Sequence, residues 1–303
     1  MTATENMLAV NQRMTPHNDF ATDLRHIRES GYTGVGLDEL KLTPGDDARA
    51  VELLAESGLR GTYATPEVWP IVSGPLDRPD HPSEVGARVD AICTSIERLS
   101  AFSPQGIVVG GGRSGNPNHP TGSAEDIAAP LAQIADVAAS HGLGIALEIM
   151  PLRKGSALFD LGEAVALVEH LGRPNIGFII DVAHVWDLPD RDNALERYAD
   201  HVVYTQLNDV RSPERTWADR LLPGDGRGLA APIAAALLHG GYQSWFELEV
   251  FSDDGTFGVE LEDSLWKMPH ADLLRRGRTR IDEALREAAA ISRDTLISRG
   301  DRG

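Results

Sequence analysis

Glu148, Asp181, Gln206 and Glu249 each close a short apolar run, at 144–148, 176–181, 202–206 and 245–249. Short runs rich in Ile, Leu, Val and aromatic residues, bounded by turn signals, read as strands. Carboxylates rarely end buried strands without a partner, because stripping water from a charge costs more than packing returns. Three carboxylates and an amide at the tops of four strands describe an oxygen-rich cage, and a divalent cation would satisfy it. All-oxygen ligation with one amide favours Mg²⁺ or Mn²⁺ over Zn²⁺ or Cu²⁺. Salt bridges at a strand rim are the better reading for any one of the four. That reading fails for the set, since no strand-end lysine or arginine lies nearby to neutralise three acids.

Other candidates surround the four. His184 follows Asp181 by three residues, where a ring just past a strand end can reach a bound substrate. Asp209 and Arg211, above Gln206, could bind hydroxyls or an anionic group, or form loop ion pairs. Trp69, Trp186 and Trp217 fall in loops that follow strands, where an indole can stack on a sugar or simply cover the mouth. Arg153 and Lys154 are weaker substrate contacts after the Glu148 strand. The run Gly110-Gly111-Gly112 lacks the Lys-Ser/Thr pair of a phosphate loop.

The elements that must position these residues follow one rhythm. Strand-like runs at 7–10, 33–37, 59–64, 106–110, 144–148, 176–181, 202–206 and 245–250 alternate with helical patterns. The helices fall at 20–30, 46–57, 82–99, 124–140, 161–171, 191–198, 229–239 and 271–297. Alternating strands and helices indicate a parallel sheet, and eight such units predict closure into a single (β/α)8 barrel. Gly31, Gly58, Gly142, Gly172 and Gly241 (or Gly240) sit where left-handed helix stops are needed. One domain over 1–303 is expected, its core at about 7–290, with a polar tail after about 298. Strand alternation supplies a check. If Glu148 points into the barrel, Ile145, Leu147 and Ile149 point at the helices. The same parity sends out Phe178 and Ile180, then Val203, Thr205 and Leu207, then Phe246, Leu248 and Val250. The long connections at 65–82 and 210–229 and the irregular stretch at 110–120 all follow strands, on the face where barrels build active sites.

Bulk properties narrow the class. A formal charge of −18 and a pI of about 4.9 argue against nucleic acid and anionic membranes as partners. The lone Cys93 excludes a disulfide framework and suits a reducing compartment. No apolar run approaches the ~20 residues that span a bilayer. The first six residues lack the pattern of a signal peptide, so a cytoplasmic location is expected.

The chain resembles the xylose isomerase-like barrel superfamily of sugar phosphate isomerases and epimerases. The resemblance rests on Ala146-Leu147-Glu148, Asp181-Val182-Ala183-His184, Gln206-Leu207-Asn208-Asp209, Pro223-Gly224-Asp225-Gly226 and Glu249-Val250-Phe251-Ser252-Asp253-Asp254. It implies one Mn²⁺ or Mg²⁺ per chain, held by Glu148, Asp181, Gln206 and Glu249. It also implies that Glu148 and Glu249 move the proton while His184 holds the substrate; Asp209, Arg211 and Trp186 are further substrate contacts expected from their positions alone. The third ligand of similar ketose epimerases is commonly histidine; here it is Gln206, as in hydroxypyruvate isomerases and 3-dehydroshikimate dehydratases. The apurinic endonucleases of the superfamily need histidine-rich metal clusters that this chain lacks.

The expected chemistry is metal-assisted proton abstraction next to a carbonyl, through an enediolate, on a sugar or similar polyhydroxy carbonyl compound. The same first step permits a lyase outcome: dehydration of 3-dehydroshikimate or an inosose, or deglycosidation of a 3-keto C-glycoside with a small partner subunit. A non-catalytic barrel that binds a sugar or a partner protein is the rival from another class. A homo-oligomer is expected by analogy alone.

Overall fold

The computed structural model describes residues 7–74, 77–112, 123–151, 156 and 160–300, with side chains as far as 292. Arg153, Lys154 and most of the 110–120 stretch lie outside the described residues. Seven strands run in chain order as β1 (Leu8–Asn11), β2 (Gly34–Asp38), β3 (Arg60–Thr65), β4 (Gly106–Gly110), β5 (Gly144–Glu148), β6 (Ile176–Asp181) and β7 (Val202–Leu207). A two-strand excursion follows, β8 (Asp209–Val210) and β9 (Arg220–Leu221), before β10 (Trp245–Leu248) returns to the barrel. The sheet closes in the order β1-β10-β7-β6-β5-β4-β3-β2, every neighbour parallel, while β8 and β9 pair antiparallel outside it. This is the (β/α)8 architecture the rhythm predicts.

Helices α1 (Phe20–Glu29), α2 (Asp47–Ser57), α3 (Val85–Leu99), α4 (Ala124–Ser140), α5 (Leu161–Leu171), α7 (Arg191–Arg197), α8 (Ala230–His239) and α9 (His270–Gly300) make up the outer ring, while α6 (Val182–Val185) is a single buried turn directly after β6. All five stop glycines adopt positive φ, with Gly241 rather than Gly240 taking that role beyond α8. Predicted and observed bounds agree to within three residues. The largest shifts are α3, which starts only after Pro82 and Glu84, and the carboxyl end of α9.

Alternation holds. Ile145, Leu147, Phe178, Ile180, Phe246 and Leu248 join the core between sheet and helices. Burying each contributes roughly 1.5–3 kcal/mol. The opposite parity fills the barrel, where Tyr63, Ala146, Ile179, Tyr204 and Trp245 pack together and the Tyr63 and Tyr204 rings stack at 4.7 Å. Glu148, Asp181, Gln206 and Glu249 share this inward parity, one layer nearer the carboxyl ends. Pairing sets Asp181 opposite Gln206, while Glu148 lies opposite Ile179 and Gln206 opposite Glu247, so Asp181 and Glu249 each stand two residues beyond their neighbours' partners.

Candidate active site

Asp181, Gln206 and Glu249 are buried, and Glu148 is nearly so. One residue absent from the sequence reading stands among them. Arg220, at the start of β9 and 4% exposed, brings Nη1 to 2.8 Å from Asp181 Oδ2 and 2.7 Å from Glu249 Oε2. The expectation that no cationic side chain reaches the cage is therefore overturned. Arg220 is not a strand-end residue of the barrel; it arrives from the excursion after β7. Burial works against its charge, but Asp181, Glu249 and Glu148 outweigh that and hold its pKa above the ordinary value.

His184 lies in α6, the single helical turn that Asp181 caps by accepting from Ala183 N–H at 2.8 Å. Its Nε2 is 3.2 Å from Arg220 Nη2, and its Nδ1 is 3.2 Å from Glu148 Oε1. A guanidinium can only donate, so Nε2 accepts and Nδ1 carries the ring proton.

The carboxyls crowd one another. Burial, with the charges of Glu249 and Asp181, raises Glu148 to about 8 despite the opposing pull of Arg220. Burial likewise raises Glu249 to about 7, with Arg220 the main opposing influence. Two glutamates facing one cavity are thus poised to gain or lose a proton near neutrality. Beneath them, Glu247 forms the floor, accepting from Asn11 Nδ2 at 3.0 Å, Tyr204 OH at 3.1 Å and Thr62 Oγ1 at 3.3 Å. Burial raises it to about 8 as well.

These residues fit a hard cation. Glu148, Asp181 and His184 each bring one ligand atom within 4.8 Å of the others, a trio able to hold a metal ion. That trio includes His184, read from the sequence as a substrate contact. Gln206 Nε2 donates to Glu249 Oε1 at 2.9 Å and Tyr204 OH at 3.0 Å, while its Oε1 is buried without a hydrogen-bond partner. An orphaned buried acceptor beside three carboxylates is what an oxygen-seeking cation would satisfy. Between Asp181 and Glu249 the Arg220 guanidinium supplies the positive charge.

Above the cage opens a cavity of about 560 Å³, lined by Glu148, His184, Arg220 and Glu249 at one end. Asp181 and Gln206 do not line it, and neither do three of the expected substrate contacts. Asp209 is fully buried and accepts the backbone N–H groups of Val210, Gly224, Arg227 and Gly228 at 2.8–3.1 Å. Its carboxylate pins the 223–228 loop under β8, and so holds β9 with Arg220 turned to the cage. Arg211 pairs with Asp219 at 3.2 Å and Asp263 at 2.9 Å. Trp186 lies beneath Arg227, whose guanidinium carbon is 4.5 Å from the ring centre. Trp69 and Trp217 do line the cavity.

Trp69 also explains the glycine run. A Cβ on Gly110 would lie 2.1 Å from Trp69 Cζ3, and one on Gly112 would lie 2.3 Å from Val72 O. These glycines let the 69–72 segment lie across the end of β4, where Ile71 N–H donates to Gly110 O at 2.8 Å.

Solved structures share this architecture. L-ribulose 3-epimerase matches with a TM-score of 0.70 or better, at 0.75, with 21% identity over 96% of this chain and 98% of that one. D-allulose 3-epimerase from Methylomonas sp., solved in complex with D-allulose, matches at 0.72 and 18% identity, over 92% and 96%. The IOLI protein with a bound zinc atom matches at 0.72 and 14% identity, over 94% and 99%. Identities this low speak to the fold alone. Among curated proteins none matches in sequence. The family model described as xylose isomerase-like TIM barrel matches residues 24–291, and the chain belongs to that family.

Proposed function

We propose that this chain is a divalent-metal-dependent isomerase or epimerase acting by proton abstraction next to a carbonyl, on a sugar or similar polyhydroxy carbonyl compound. The observation that carries the reading is the pair Glu148 and Glu249. Both line one cavity, and both carboxyls sit near neutrality, at about 8 and about 7. One glutamate, ionised, takes the proton, and the other, protonated, delivers one to the opposite face of that carbon (epimerase) or to the neighbouring carbon (isomerase); a proton then passes back between the two glutamates through solvent before the next turnover. Arg220, which lines the same cavity with its terminal nitrogens on His184, Asp181 and Glu249, would steady the oxygen on which negative charge develops. His184, with Nδ1 3.2 Å from Glu148 Oε1, packs against that glutamate.

Glu148, Asp181, Gln206 and Glu249 would hold the cation, Mn²⁺ or Mg²⁺ by donor chemistry, with His184 at its edge. When bound, it polarises the substrate carbonyl and offsets the charge left by the departing proton. Arg220 must then give up Asp181 and Glu249 and turn to the substrate.

Solvent-deuterium exchange into ketoses, with Mn²⁺ supplied, tests the reading. Glu148→Gln and Glu249→Gln are each expected to lower exchange by about 10²–10⁴-fold, the usual worth of a positioned acid or base. Exchange that persists at the wild-type rate in both variants would refute it, as would no Mn²⁺ uptake by the wild type.

A further inference from the structure

Resting on the isomerase or epimerase reading above, we propose that Arg13 sets the substrate class: the substrate carries a carboxylate, as a keto-sugar acid does, and this guanidinium binds it. Arg13 stands in the single 3-10 turn, Gln12–Met14, that follows β1. In the barrel β1 lies between β10 and β2, so the turn rises beside Glu249 on one side and Asp38 on the other. The turn is fastened. Asn11 Oδ1 accepts Arg13 N–H at 2.9 Å while its Nδ2 donates to Glu247 Oε1 at 3.0 Å, and Gln12 Oε1 accepts Asp38 N–H at 3.1 Å. Arg13 lines the cavity together with Glu148 and Glu249. Against the burial that raises both carboxyls, its charge pulls them back down, so the guanidinium lies within electrostatic reach of the acids that would move the proton.

Among the described residues four arginine and lysine side chains line the cavity, and three of them are engaged. Arg220 holds Asp181 and Glu249. Lys41 Nζ donates to Asp23 and to the carbonyls of Thr15 and Asn18, all at 2.6–2.8 Å. Arg78 pairs with Glu67 at 3.0 Å and Asp80 at 3.3 Å. Arg13 differs. Its buried Nε faces Asp38 Oδ2 at 3.3 Å without a well-aligned hydrogen bond, and no described residue accepts from its Nη1 or Nη2. Asp38 spends its other oxygen on Leu40 N–H at 3.2 Å. A guanidinium carries five N–H donors, and this side chain is only 20% exposed, so it gives up much of its water with no protein acceptor in exchange. A planar carboxylate fits the open fork with two parallel hydrogen bonds.

The surroundings select the size of the ligand's charge. Asp19, Asp38, Glu67 and Asp77 line the same cavity. A phosphate group, with a charge of about −1.5 to −2, would face those acids with one unengaged cation to offset them. A single negative charge matches a single guanidinium.

Calorimetric titration of the full chain with D-fructose, D-fructuronate and D-fructose 6-phosphate, alike except at the sixth carbon, tests this with MnCl₂ and again with EDTA. D-Fructuronate is expected to bind about tenfold more tightly than D-fructose under both conditions, the usual worth of a charge-assisted contact, and more tightly than the phosphate. Arg13→Gln should reduce that advantage to under about twofold, while Arg13→Lys, which keeps the charge but not the fork, should leave about threefold. Equal binding of fructuronate and fructose, tightest binding of fructose 6-phosphate, no binding of any of the three, an advantage seen only with MnCl₂, or one that survives Arg13→Gln overturns the proposal. An Arg13-dependent advantage in a chain that takes up no Mn²⁺ would sink the metal-dependent reading and leave the carboxylate site standing. Mn²⁺ uptake with equal binding of the acid and the neutral sugar would do the reverse.

Discussion

Replacing Arg220 by methionine removes the one cation that, among the described residues, touches two of the cage carboxylates, while keeping most of its side-chain bulk. Arg220 is 4% exposed and contacts Asp181 and Glu249 at 2.8 and 2.7 Å. Breaking a buried ion pair by removing one partner costs roughly 3–5 kcal/mol, because the other charge stays behind unneutralised. Unfolding entropy of about 2.1 cal/mol/K per residue gives about 0.6 kcal/mol/K for a chain of this length, so Tm should fall by about 5–8 °C. The loss must depend on pH, and its sign follows from the carboxyls. Glu148 and Glu249 have folded pKa values near 8 and 7, above those of unfolded glutamate, and Arg220 lowers both. A raised carboxyl pKa contributes stability fully present below about pH 4.5 and lost as pH climbs through the folded value. Without Arg220 those values rise further, so the variant protonates and keeps most of its stability at pH 5, then loses it toward pH 9. Mn²⁺ should restore the variant, and should raise its Tm more than that of the wild type, where guanidinium and cation compete for Asp181 and Glu249. Thermal unfolding at pH 5, 7 and 9, with Mn²⁺ or with EDTA, reads all of this. Equal losses at pH 5 and pH 9, or a Mn²⁺ shift no larger than in the wild type, would refute the argument.

Four further outcomes are expected. Mn²⁺ affinity should rise between about pH 6 and 8, because the cation displaces protons from Glu148 and Glu249; calorimetry in buffers of different ionisation enthalpy should detect their release. Asp209→Ala should cost about 3 kcal/mol or more by chemical denaturation, since four backbone N–H groups lose their acceptor. The same variant should lose activity disproportionately, because the loop that aims Arg220 is released. Gly110→Ala should displace the Trp69 indole, changing tryptophan fluorescence and costing about 1–3 kcal/mol of stability from overpacking.

The four strand-end residues and the eight units were legible because alternation and stop glycines are local signals. Glu148, Asp181 and Gln206 follow directly from period-two patterns, and Glu249 needs only one step beyond β10, its N–H still donating to Leu207 O. Arg220 was not legible. It belongs to a two-residue strand inside a long loop, and its burial depends on where a distant hairpin folds back. One signal was available: Pro223-Gly224-Asp225-Gly226 exposes several backbone N–H groups that need an acceptor, and Asp209 is the acid nearest in sequence before it on a strand end. Read that way, Asp209 becomes a loop anchor rather than a substrate contact. Arg211 and Trp186 misled for the opposite reason, since residue type alone does not say whether a partner such as Asp219 or Arg227 already claims them.

The excursion between β7 and α8 carries the cavity's Arg220 and Trp217 together with its own fastening, Asp209. Charge balance at the mouth and one aromatic wall are therefore encoded apart from the barrel staves. Exchanging that single stretch for another of similar span would re-tune what the mouth welcomes while the acidic ring on β5, β6 and β10 stays as it is. Such a division lets one scaffold diversify its clientele without rebuilding its chemistry.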